Sequence, residues 1–189
     1  MNNFGLKLLA SVLILTSIAC SNSNKYKVEL NRVGLITSET KVDEIDEIFK
    51  NDSVVKHLSE GLLGFQGAYQ QEDDKYLIYS KEGKHLLTIT PKEALDSLST
   101  IRFVDIYDPS YVTEKGIGLN STFEEINLQT TIDKVEASFT KATLYLNEFN
   151  ATMTLDKTDL GIKTFSTAEI QLGQIPNLVK PKSFVVWFN

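Results

Sequence analysis

Pro109-Ser110-Tyr111-Val112-Thr113-Glu114-Lys115-Gly116-Ile117-Gly118-Leu119-Asn120-Ser121-Thr122-Phe123-Glu124-Glu125-Ile126 decides how this chain is read. A strand-like segment, Ile101 to Asp108, runs into it. A Gly-x-Gly turn follows at Gly116 and Gly118, and then a helix start at Ser121 and Thr122. Thr122 with Glu125, or Ser121 with Glu124, has the spacing of a capping box, in which hydroxyl and carboxylate satisfy each other's backbone N–H. The glycines also suggest a phosphate cradle. A P-loop needs a strand, a turn, a long helix and a Lys after the second Gly, and here Leu119 follows instead. The stretch is therefore structural, a seam between two halves of the chain.

Working outward, the same chemistry occurs 81 residues earlier. Glu39-Thr40-Lys41-Val42-Asp43-Glu44-Ile45 has the chemistry of Ser121-Thr122-Phe123-Glu124-Glu125-Ile126: a hydroxyl cap, then an apolar residue, two acids and Ile. That spacing is too long for a solenoid repeat and suits duplication of a domain-sized unit. Thr40 is a candidate N-cap, with Asp43 and Glu44 where the helix dipole favours anions. Val42, Ile45, Ile48 and Phe49 fall on one helical face, and Asp43, Glu44, Asp46, Glu47 and Lys50 on the other. Adjacent acids on a helix do not converge, so the acidic run reads as a solvated face.

Strands dominate the rest. Val28 to Leu30 is a short leading strand or an extended lead-in, and Gly34 to Thr37 a turn before the first helix. Val54 to Leu63 is ambiguous between strand and helix, punctuated by Gly61, Gly64 and Gly67, with a polar loop at Gln70 to Asp74. Tyr76 to Ser80 and His85 to Thr90 form a hairpin about Lys81-Glu82-Gly83-Lys84, with Pro91 stopping the return strand. Ile101 to Tyr107 is the third strand. In the second half Lys134 to Phe139, Ala142 to Asn147 and Ala151 to Leu155 alternate as strands, the last two joined at Glu148-Phe149-Asn150. Gly161 turns the chain, Thr167 to Leu172 is a further candidate segment, and Pro176 and Pro181 bracket a loop. Ser183 to Phe188 closes the fold. Every position of its Phe-Val-Val-Trp-Phe is large, which demands cover on both faces or makes one face a docking surface; Trp187 is expected in the core. The expected class is α+β: a short N-terminal helix or helices packed on antiparallel β-meanders, in two tandem related halves, 28–108 and 109–189.

Residues 1–19 are expected to be a signal peptide. Met1 to Lys7 carries one positive charge, Leu8 to Leu15 is almost wholly apolar, and Thr16-Ser17-Ile18-Ala19 leads into Cys20. A transmembrane helix needs about 20 apolar residues, more than this run supplies. Cys20 is the only cysteine, so it can form neither an internal disulfide nor a zinc site alone. Ser17-Ile18-Ala19-Cys20 resembles a bacterial lipobox, with Ser17 where the usual Leu stands. The resemblance implies lipidation of Cys20, cleavage before it, palmitate-type acylation and a membrane anchor. Residues 20–27 then form a polar tether. The absence of an aspartate just after Cys20 resembles outer-membrane sorting, and the absence of an acidic cluster points to the periplasmic face of the cell envelope.

Composition excludes some functions. The net charge is −6 with only two arginines, Arg32 and Arg102, so a phosphate backbone is repelled and nucleic acid is not an expected partner. There is no Gly-x-Ser-x-Gly and no His-Glu-x-x-His, and neither His57 nor His85 has an acid or nucleophile suitably spaced; both read as surface or strand-edge residues. No catalytic, metal-binding or cofactor-binding residue is expected. Asp-Pro-x-Tyr-x-Thr followed by Gly116, Gly118, Ser121, Thr122 and Ile126 is similar to stretches in small uncharacterised lipoproteins of Bacteroidota-type bacteria. More distantly it resembles SmpA/OmlA-type lipoproteins and β-lactamase-inhibitor-like tandem folds, which implies helical elements laid on an antiparallel sheet. Asp52-Ser53-Val54 and Asp96-Ser97-Leu98 resemble a periplasmic O-glycosylation signal. The expectation for function is a lipid-anchored, non-catalytic envelope protein that holds a protein or envelope component through its sheet. The alternatives are an envelope hydrolase with a carboxylate pair, or a periplasmic enzyme inhibitor.

Overall fold

β-branched and aromatic residues alternating with polar ones build most of this molecule, and the result is a sheet rather than a balanced α+β fold. The structure, a computed structural model, describes residues 25–59, 73–163, 165 and 169–189. The expected signal peptide and lipobox-like stretch, Gly61, Gly64, Gly67, Gln70, Gln71, Glu72 and Thr167 lie outside them. Two α-helices are present among the described residues, α1 (Ile45–Ile48) and α2 (Phe123–Gln129). A small sheet has the order β3-β2-β1-β8, from β1 (Lys27–Glu29), β2 (Arg32–Val33), β3 (Ile36–Thr37) and β8 (Val112–Thr113). β1 and β8 run parallel, and the other pairs are antiparallel.

The large sheet has eight antiparallel strands. They are β4 (Ser53–His57), β5 (Lys75–Tyr79), β6 (His85–Pro91), β7 (Ile101–Ile106), β9 (Lys134–Ala137), β10 (Lys141–Leu146), β11 (Ala151–Asp156) and β12 (Ser183–Trp187). Their order is β4-β5-β6-β7-β12-β11-β10-β9. Each half thus contributes a four-strand meander, and the two meet at their last strands, where Phe184 pairs Ile106 and Val186 pairs Val104. The closing strand is interior, as its apolar composition requires. One face of the sheet carries Ile78, Leu87, Ile89, Val104, Leu144, Met153, Phe184 and Val186, all fully buried. Ile45 and Phe49 of the α1 region, Phe123 and Ile126 of α2, and Val28, Val33 and Ile36 of the small sheet join them in one continuous core.

The helices are short for local reasons. The apolar stripe before Asn51 spans barely two turns. It begins as a 3-10 turn at Val42–Glu44 and is capped from Lys41, whose N–H donates to Glu44 Oε2 at 2.7 Å. Thr40 is not the cap: its hydroxyl accepts from Thr37 N–H at 3.0 Å. α2 ends at Thr130, where Thr130-Thr131-Ile132 offers a β-branched run that favours extended backbone. The predicted segment at Thr167 to Leu172 is not a strand over its described residues, where a 3-10 turn occupies Leu172–Gln174. Pro91 is included in β6, at the point where the ladder to β7 shifts register and a missing N–H does least harm.

The two helix starts share four hydrogen bonds at the 81-residue offset, though only α2 adds one from Glu125 N–H to the cap hydroxyl of Thr122. Thr122 N–H donates to Glu125 Oε2 at 2.8 Å, as Lys41 does to Glu44. Gly118 N–H donates to Ser121 Oγ at 3.1 Å, as Thr37 does to Thr40. Val42 and Asp43 donate to the Ser99 and Ser97 carbonyls, just before β7; Phe123 and Glu124 donate to those of Val179 and Asn177, just before β12.

The quoted stretch is a structural knot. Lys84 binds Asp108 at 2.7 Å, and Tyr111 is buried edge-on against Tyr26. Gly116 has φ +80 and donates to Thr113 O; Ile117 N–H donates to Thr113 Oγ1. A Cβ on Gly118 would lie 2.7 Å from the Tyr111 carbonyl oxygen, which is why the position is glycine. Since the Gly116, Ile117 and Gly118 amides are satisfied within the stretch, none is offered to a phosphate.

Candidate binding face

Strand alternation puts every second residue of the large sheet on the face opposite the core. On β7 these are Phe103 and Asp105, followed by Tyr107 just past the strand end. Each has a lateral neighbour. Phe103 pairs with Trp187 of β12, ring centroids 4.8 Å apart. Asp105 lies between Thr88 of β6 and Val185 of β12. Tyr107 stacks on His85 at 3.9 Å, and His85 stacks on Tyr79 of β5 at 4.7 Å. The ladder depends on a bulge. The β5–β6 register shifts after Ile78, so that Leu87 pairs Ile78 while His85, not Leu86, pairs Tyr79; both leucines are buried.

Electrostatics sharpen the centre of this face. Burial raises the Asp105 carboxyl above its ordinary value, outweighing the Lys75 ammonium, which lowers it. Burial holds His85 below the usual imidazole range, against a bond from Nε2 toward the Leu87 carbonyl that favours the charged ring. Its Nε2 also lies 3.0 Å from Thr88 Oγ1. Tyr107 is raised by burial first and by the Asp105 charge second. The arrangement holds one half-buried carboxylate between two aromatic groups, with the Lys75 ammonium as the cation that acts on it.

Towards β9 the face carries Thr143 and Tyr145 of β10, Thr152 and Thr154 of β11, and Trp187. Trp187 is 39% exposed and so is not the core residue its size suggests, because it is the last residue of β12 and faces outward. Its Nε1–H donates to Thr152 Oγ1 at 3.4 Å. His57 lies exposed on the edge strand as expected, whereas His85 stands on an interior strand. The Lys81–Lys84 hairpin was the signal for His85, since it sets Tyr79 opposite His85. Asp105 was signalled by Phe103-Val104-Asp105-Ile106-Tyr107, a plain alternation.

Among the described residues no group of three or more His, Cys, Asp or Glu is placed to hold a metal ion. A depression beside the Ser80–Lys84 turn is lined by Asp52, Glu82 and Asp108, but Asp108 is paired with Lys84 and Asp52 lies 4.0 Å from Lys25. Ser53 and Ser97, the hydroxyls of the two glycosylation-like triplets, are both exposed. No helix among the described residues is long and apolar enough to cross a membrane.

No known family and no curated protein matches this chain. Among solved structures it is similar to the uncharacterized protein yfeY from Escherichia coli, with a TM-score of 0.52 and 12% sequence identity. The likeness covers 85% of this chain and 99% of that one. At such identity it is a likeness of fold.

Proposed function

We propose that this chain is a lipoprotein, anchored through Cys20 to the periplasmic face of the outer membrane, that holds a protein or envelope component on the outer face of its sheet without catalysing a reaction. The observation that carries the binding role is the row Phe103, Asp105 and Tyr107, extended laterally by Trp187 and His85. Large aromatic groups left half-exposed together on a monomer's surface mark contact sites more often than solvated surface. The lipobox-like Ser17-Ile18-Ala19-Cys20 supports the anchor. The matched helix starts and the palindromic strand order support an origin in tandem duplication, with the seam at Pro109–Ile126. The parallel β1–β8 pair departs from the two-fold that the large sheet suggests.

Two measurements test this. The native chain should take up labelled palmitate, and Cys20→Ser should take up none; a labelled Cys20→Ser chain contradicts the anchor. Released Cys20→Ser protein should co-sediment with purified envelopes, and adding Phe103→Ser and Trp187→Ser should abolish that. Equal co-sedimentation of the two proteins contradicts the binding face.

A further inference from the structure

We propose that the depression at the β10–β11 end of the outer face binds a neutral saccharide. It measures about 440 Å³, within the range of small-ligand clefts. Thr143, Tyr145, Asn147, Asn150, Thr152 and Trp187 line it, and no charged side chain does. Two other depressions among the described residues are lined by acids, one of them by lysines as well. A pyranose ring has an apolar C–H face and a rim of hydroxyls. It asks for an aromatic plate and for neutral donors and acceptors, and this site supplies both.

The polar groups have capacity to spare. The Asn147 side-chain amide and the Thr143 hydroxyl have no partner among the described residues. Asn150 Nδ2 donates to the Trp187 carbonyl at 2.9 Å and to Asn189 Oδ1 at 3.1 Å, which fixes the side chain and leaves its Oδ1 to accept. The walls are held in advance. The Trp187 indole is tied to Thr152, and the Tyr145 hydroxyl donates to Glu136 with the Lys134 ammonium 5.7 Å from its ring centre. Fixed rings and fixed amides lower the ordering cost of binding.

The site rests on the outer face being the binding surface and is independent of the anchor. A failed titration leaves the co-sedimentation result standing, and a failed co-sedimentation leaves the titration standing. Trp187 is the only tryptophan, so its fluorescence reads the site directly. The full chain in a non-glycosidic detergent is titrated with tri-N-acetylchitotriose, maltotriose, N-acetylglucosamine and tri-galacturonate. A saturable change with a neutral trisaccharide is expected. If the monosaccharide fails, the source is a glycan strand; if it binds equally, the source is a free sugar. Asn147→Ala, and separately Thr143→Ala, should weaken binding about ten-fold with unchanged melting temperature. No saturation by about 10 mM with any neutral sugar, tighter binding of the anion, or full affinity in both variants overturns the proposal.

Discussion

Asp105 is the residue on which the outer face turns. Its folded-state pKa is raised, so the native state holds that proton more tightly than the unfolded chain does. The cost is absent below the unfolded carboxylate value, grows as pH rises through the raised folded value, and is complete above it. Asp105→Asn should therefore raise the melting temperature at pH 7 and leave it unchanged at pH 3; an equal rise at both would contradict the desolvation account. His85 has the opposite sign: its lowered pKa adds stability that is lost as pH falls from the ordinary imidazole value through the folded one. Backbone fit at single positions is as readable. Gly118→Ala should cost about 1–3 kcal/mol in denaturant unfolding, because the Tyr111 carbonyl occupies the space a Cβ needs. That Gly116 and Gly118 are structural could be read from Leu119 standing where a P-loop carries Lys. The contact with Tyr111 could not, because nothing in local pattern tells which backbone will approach a glycine.

At the scale of elements, the capping box of α2 is legible in Ser121-Thr122-x-x-Glu125 and forms as written, Thr122 Oγ1 accepting from Glu125 N–H at 3.3 Å. Thr122→Ala should destabilise the protein by about 1 kcal/mol, measured by the urea midpoint; no change would mean that packing of Phe123 and Ile126 alone fixes the helix. The first helix starts one residue later than Thr40 suggests, because the Thr40 hydroxyl is taken by Thr37 N–H, a partner that local pattern does not reveal. Strands were legible wherever alternation was regular, as in Ala142 to Asn147. The small strands β2, β3 and β8 are two residues each, too short for any period to register. Trp187 was misread because an all-large strand hides its own period; the ladder to β7 and β11 supplies the phase.

For the whole molecule, the joining of both meanders through β7 and β12 makes the large sheet continuous, and the buried residues form one core. Unfolding should show a single transition by both tryptophan fluorescence and far-UV dichroism; two separated transitions would contradict that continuity. Phe184→Ala, at the junction, should cost about 3–5 kcal/mol and lower the one midpoint without splitting it. Sheet dominance follows from how little chain the two helical stripes occupy, whereas the pairing of the last strands of each half joins residues about 80 apart in sequence and leaves no local trace. The outer face carries the central claim, and crosslinking reads it most directly. A photo-reactive residue replacing Val185, beside Asp105 on that face, is compared in the native host with one replacing Asp43 on the solvated acidic face. The account predicts a discrete envelope adduct from position 185 that disappears when Phe103→Ser and Trp187→Ser are added, and none from position 43. No adduct at 185, or the same adducts from both positions, would contradict it.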